Sequence, residues 1–126
     1  RCLSRGEYVA AEQSRAIFTD AATSMLFLHN KKYKPFYKWM HRALLDLPIL
    51  GPFAHKLLQE LCAPNRQTQN QYIKQTILME ELCLRVISEL KAQNLTGSES
   101  EFLLDHAPEV LYRIQDEDLR SISLLR

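Results

Sequence analysis

The chain has 126 residues, 46% of them hydrophobic and 25% charged, with a formal net charge of +1. That composition fits a folded domain with its own core. The near-zero net charge excludes bulk attraction to nucleic acid or to a membrane surface, so any electrostatic role has to come from local segregation. No apolar run approaches the ~20 residues that span a bilayer. Cys2, Cys62 and Cys83 lie far apart and form no CxxC pair and no Cys/His cluster at zinc spacing. Three scattered thiols point to a reducing, cytoplasmic setting with buried free cysteines.

With three glycines, five prolines and no period-two alternation, the chain reads as all-α: a helical bundle with two long helices and several short ones. Ser4 and Glu7 have the spacing of a capping box. Behind them Ala10, Ser14, Ile17, Ala21, Met25 and Leu28 recur at three- and four-residue steps, predicting one long helix to about residue 30. Pro35 suits the first turn of a second helix, with Phe36, Trp39, Met40, Ala43, Leu44 and Leu47 on its inner face. Pro52 opens a third, through Phe53, Leu57, Leu58 and Leu61, that ends before Pro64.

The polar run 65–71 starts the second long helix, striped by Tyr72, Thr76, Met79, Cys83, Val86 and Leu90. Ile73, Ile77 and Leu84 widen that stripe, predicting burial on more than one side. Gly97 is the expected terminator. Ser98 to Glu101 offers another capping box for a short helix through Leu104. Pro108 begins a further turn or two. Asp116 is placed to cap a last helix carrying Leu119, Ile122 and Leu125. No linker divides the chain, so residues 1–126 are expected to form a single helical domain.

The stretch from His29 to Pro48 carries Lys31, Lys32, Lys34, Lys38 and Arg42, interleaved with Tyr33, Phe36, Tyr37 and Trp39, and no acid lies between Asp20 and Asp46. Lys34, Lys38 and Arg42 recur every four residues, so a helix would set them on one face, where like charges repel by a few tenths of a kcal/mol each. A purely structural face would intersperse acids. An anion such as a phosphate would favour the same three cations, with Arg42 able to bind it bidentately. The competing reading is a solvated face paired with the acidic tail of Glu99, Glu101, Asp105, Glu109, Asp116, Glu117 and Asp118. Trp39 belongs to the core stripe, which leaves Tyr33 and Tyr37 as the stacking candidates.

Glu7 is explained by capping and Glu12 by a pair with Arg15. Asp20 is unusual inside an apolar stretch. His29, His41, His55 and His106 have no metal-ligand spacing, and no nucleophile is placed beside a base. Gly97-Ser98 with Asp116 and Asp118 has the letters of a nucleotidyltransferase signature, but the spacing is too long and the region is helical.

"FLHNKKYKPFYKWMHRALLDLP" and "FLLDHAPEVL" together resemble a bacterial family of unknown function. That family forms the helical C-terminal domain of proteins with an N-terminal nucleotidyltransferase-fold domain. Asn30 through Trp39 carry the specific part of the match. The resemblance implies that this chain, which opens at Arg1, is the C-terminal part of a longer two-domain protein, partnered in cis by the nucleotidyltransferase-fold domain. It implies a substrate-binding helical half without catalysis of its own. Asn30, Lys31, Lys32, Tyr33, Lys34, Tyr37 and Lys38 would lie near the cleft, with Glu7 and Asp20 as cleft acids. Magnesium and a nucleoside triphosphate would belong to the parent protein, and no cofactor is expected on this domain. The alternatives are a protein-interaction module that forms a homodimer, and an accessory domain whose acceptor is RNA. The net charge argues against nucleic acid.

Overall fold

The computed structural model describes residues 1–63 and 69–122. Among the described residues there are helices and turns and no strand, so the all-α expectation holds. A short 3-10 turn, Leu3–Arg5, leads into α1 (Tyr8–His29). Next come α2 (Tyr37–Ala43), a 3-10 turn (Leu44–Asp46) and α3 (Gly51–Leu61). They are followed by α4 (Gln69–Ala92), a 3-10 turn (Leu103–His106), α5 (Ala107–Tyr112) and α6 (Glu117–Arg120). The two long helices are α1 and α4, of 22 and 24 residues. The chain forms two compact units, Arg1–Met79 and Glu80–Arg126, with the boundary inside α4. The predicted stop at Pro64, the start of the long helix within 65–68, and Leu125 lie outside the described residues.

In the first unit the core is Leu26 and Phe27 of α1, Met40 of α2, Leu44 and Leu47 around the 3-10 turn, and Ala54, Leu57, Leu58 and Leu61 of α3. Each fully buried leucine contributes about 1.5–3 kcal/mol relative to exposure. Gly51 is required for this packing. A Cβ there would lie 2.1 Å from the Leu44 carbonyl oxygen and 2.7 Å from Leu47 Cβ, so only glycine lets α3 begin against the preceding turn. Pro52 occupies the first turn of α3, as read from sequence.

Several sequence expectations are corrected. No capping box forms at the start of α1. Ser4 Oγ donates to the Arg1 carbonyl, and Glu7 sits at the N-cap position without a side-chain cap bond. The inner face of α1 is not the Ala/Ser stripe, since Ile17 and Leu28 are each 70% exposed. The packed face runs through Arg15, Thr19, Ala22, Thr23 and Leu26. Its threonines can be covered because their hydroxyls donate to the helix's own carbonyls, Thr19 to Arg15 and Thr23 to Thr19. Arg15 is satisfied by the Leu61 carbonyl at 2.8 Å, at the open C-terminal end of α3, and by Glu12. In α2 the inner face narrows to Met40, with Leu44 and Leu47 continuing it, and Phe36 and Trp39 lie at its exposed flank. A helix of seven residues has only two turns, too few to cover so wide a stripe.

α4 buries Tyr72, Gln75, Leu82, Val86, Ile87 and Leu90, while Ile73, Ile77 and Leu84 remain exposed, so burial is one-sided. Its terminator is Asn94 rather than Gly97. Asn94 is left-handed at φ 55°, the Leu95 N–H reaches the Leu90 carbonyl at 2.8 Å, and the Asn94 N–H reaches that of Lys91. α1 ends in the same way, with Lys31 left-handed at φ 54° and the Lys32 N–H on the Phe27 carbonyl at 2.9 Å. Cys62 is exposed, contrary to the buried-thiol expectation, while Cys2 and Cys83 are partly covered. Burial, and secondly Glu80, push the Cys83 thiol up.

In the second unit, α5 carries Pro108 in its first turn as expected, and Asp116 caps α6 through the Leu119 N–H at 3.0 Å. The segment from Ser98 to Glu101 starts no helix. Its serine hydroxyls accept from the backbone N–H groups of Ser100 and Phe102, which closes tight turns ahead of the Leu103–His106 turn.

Candidate functional site

The basic–aromatic stretch begins where the left-handed Lys31 turns the chain out of α1. Residues 32–36 form no regular structure, so Pro35 precedes α2 rather than lying in its first turn, and Phe36 (φ −55°, ψ 141°) delivers the chain into α2. Asn30 anchors this loop. Its side-chain amide donates to the carbonyls of Leu26 (2.8 Å) and Ile49 (3.0 Å) and accepts from the Ile49 N–H (2.9 Å). Those bonds tie both ends of the stretch together and leave the Asn30 amide turned toward its own chain.

Lys34 precedes α2 and does not share a helical face with Lys38 and Arg42, a correction to the predicted row of three. Its Nζ reaches back to α1, to both carboxylate oxygens of Asp20 (3.2 and 3.3 Å) and to Ser24 Oγ (2.9 Å). The structure thus joins two of the predicted residues and accounts for an acid in an apolar stretch. Glu99 and Glu117 of the acidic tail pair with Lys91 and Arg120. Lys31, Lys32, Lys38 and Arg42 are exposed. Among the described residues none of the four is paired with a carboxylate. Lys32 Nζ lies 3.4 Å from the Asp46 carbonyl oxygen, Lys38 Nζ 6.0 Å from the Tyr37 ring, and the Arg42 guanidinium 5.6 Å from the Trp39 ring. Tyr33 is 100% exposed and Trp39 56%, and Phe36 and Tyr37 lie between these values. Trp39 is therefore a surface ring, not a core one.

Beside this surface a cleft of about 400 Å³ opens among α1, α2 and α3. Arg15, Thr19, Asp20, Tyr37, His41 and Cys62 line it, with Met40 and Leu58 as apolar contacts. Its size falls in the range of small-molecule sites. Its ionic groups are internally compensated, Arg15 by Glu12 and Asp20 by Lys34. The uncompensated positive charge lies outside it, on Lys31, Lys32, Lys38 and Arg42. Glu7 does not line the cleft. Among the described residues no three His, Cys, Asp or Glu side chains come together to hold a metal, and none of the helices is long and apolar enough to cross a membrane.

Two features escaped sequence reasoning. Arg15 looked like half of a surface pair, and nothing local signals its reach to Leu61, 46 positions away. His41 and His55 stack across α2 and α3 with ring centroids 4.0 Å apart, and two isolated histidines give no sign of a pair. In the second unit, His106 is fully buried. Its Nε2 faces the Ser100 carbonyl at 2.9 Å, and its Nδ1 faces Thr96 Oγ1 at 3.0 Å. Thr96 donates to Glu109, whose carboxylate also accepts from the Gly97 N–H at 2.6 Å. That Gly97 bond is the main reason the Glu109 carboxyl lies below its ordinary value, with Thr96, His106 and Arg113 adding to it against a desolvation penalty. His106 thereby belongs to a buried structural network.

Residues 1–40 of the 126 match a family model described as "Domain of unknown function (DUF4037)". The match takes in α1 and the block from Asn30 to Trp39. No curated protein and no solved structure matches the chain.

Proposed function

We propose that this chain is the substrate-binding helical part of a nucleotidyltransferase-like protein, and that it holds nucleotide phosphates or an anionic acceptor on the surface formed by Lys31, Lys32, Tyr33, Tyr37, Lys38 and Arg42. The observation that carries the reading is the set of four exposed cations that pair with no carboxylate among the described residues, interleaved with exposed rings. Such cations strengthen when they meet phosphate oxygens, Arg42 bidentately and the lysines as point charges. Open aromatic faces suit a flat group carried by the same ligand. Lys34 and Asp20 hold the loop and set its height above α1. The chemistry assigned to this chain is binding and orientation. Magnesium and the catalytic carboxylates belong to the nucleotidyltransferase-fold domain that the resemblance implies.

The test is thermal stabilisation by nucleoside triphosphates and by inorganic triphosphate, with and without magnesium, in the wild type and in Lys38→Ala/Arg42→Ala. A rise in Tm that is lost in the variant and weakens with salt supports the reading. A rise retained in the variant moves the site off α2, and no rise with any of these anions rejects binding by this chain alone. The four exposed rings also favour a second reading, in which the same face seats a protein partner. A dimer in light scattering that Trp39→Ala dissolves would support that reading instead.

A further inference from the structure

We propose that the stacked His41–His55 pair is a pH-sensitive clasp that holds α2 on α3 and releases it under mild acid. The rings lie 4.0 Å apart at an interplanar angle of 19°, and His41 Nε2 is 2.9 Å from the His55 carbonyl oxygen. A carbonyl only accepts, so Nε2 carries the proton and donates. α2 is thus fixed to α3 at one point by both a bond and a ring contact. A second proton on the pair sets two like charges face to face, an arrangement that neighbouring groups do not compensate.

From α1, Arg15 and Asp20 line the same cleft as His41, but Glu12 holds the first and Lys34 the second. From α2, Tyr37 shares the lining and Arg42 stands over Trp39. From α3, Cys62 lines the cleft, and Lys56 adjoins His55 in sequence. The 3-10 turn between the helices carries Asp46, exposed to solvent. Among the described residues none of these carboxylates forms an ion pair with either ring.

Desolvation, and secondly the charge of His41, hold His55 below the ordinary histidine value of 6.5. The sign follows from linkage. The closed arrangement binds fewer protons than an open one, so it is fully favoured above the ordinary value and is lost as the pH falls below it. Opening acts directly on the cleft and on the binding surface, because α2 carries Tyr37, Lys38, Trp39, Met40 and Arg42.

Trp39 is the only tryptophan and sits two residues from His41, so its emission reports on α2. The experiment follows Trp39 fluorescence from pH 8 to pH 5 in the wild type and in His55→Gln. The variant removes one ring and keeps the backbone acceptor of His41. Nuclear magnetic resonance of the buried Met40 methyl and of the imidazole protons runs in parallel on the wild type. The expected result is a fluorescence transition with its midpoint below 6.5, a matching Met40 shift, and loss of both in His55→Gln. A flat wild-type profile, a transition retained in the variant, or a fluorescence change without a Met40 shift overturns the clasp. If His55→Gln does not fold, the wild-type imidazole titrations decide. Two independent curves at the ordinary value overturn the proposal, and a pair with one depressed curve that follows the Met40 shift supports it.

Discussion

The loop from Asn30 to Arg42 and the segment from Thr96 to Arg113 are both polar stretches that follow a long helix ended by a left-handed residue, and they use their polarity in opposite ways. In the second, the side chains face the chain itself. Thr96, Ser98, Ser100, His106 and Glu109 each bond to a neighbour in the segment, Arg113 donates to the Leu95 carbonyl just before it, and the imidazole at the centre is sealed from water. In the first, the inward bonding is done by Asn30 and Lys34, while four cations and four rings point out. Dense charged and polar sequence therefore does not by itself mark a site. What separates the two is whether the polar groups are satisfied from within.

That contrast can be broken by removing inward partners. His106→Ala should have the largest effect, about 3 kcal/mol in denaturant unfolding, because it leaves a cavity together with an unpaired Ser100 carbonyl. Asn30→Ala should cost about 1.5 kcal/mol, since the Ile49 N–H and carbonyl lose their side-chain partner. Acid sharpens the comparison. Glu109 lies below its ordinary carboxyl value when folded, so its contribution is complete above 4.5 and is lost as the pH falls through the lowered folded value. Wild type should therefore exceed Glu109→Gln in stability at neutral pH and converge with it in acid. The smallest effect belongs to the outward set. Lys38→Ala/Arg42→Ala should change stability by no more than about 0.5 kcal/mol, while the stabilisation by triphosphate disappears.

The helical class, the order of elements, the first-turn prolines Pro52 and Pro108 and the Asp116 cap could all be read from sequence because each rests on contacts within one turn. The inner face of α3 was equally plain, an apolar stripe with no polar competitor. The inner face of α1 was not. Its packed side includes Arg15, Thr19 and Thr23, which look exposed until their bonds to helix carbonyls and to Leu61 are known. Trp39 was assigned to the core on spacing, which says which residues share a face but not how wide a face two turns can bury. Asp20 stood out in sequence as a misplaced acid, and its partner Lys34 lay fourteen positions away across a turn whose geometry depends on Lys31.

Lys31 itself carries an evolutionary consequence. A left-handed backbone costs a residue with a Cβ roughly 1 kcal/mol or more that glycine avoids, and Lys31 holds φ at 54° at the helix exit. A lineage selected only for robustness would drift to glycine at this position. Glycine at 31 would ease the backbone and remove one exposed cation in a single change, so this position ties the helix exit to the charge of the surface beyond it.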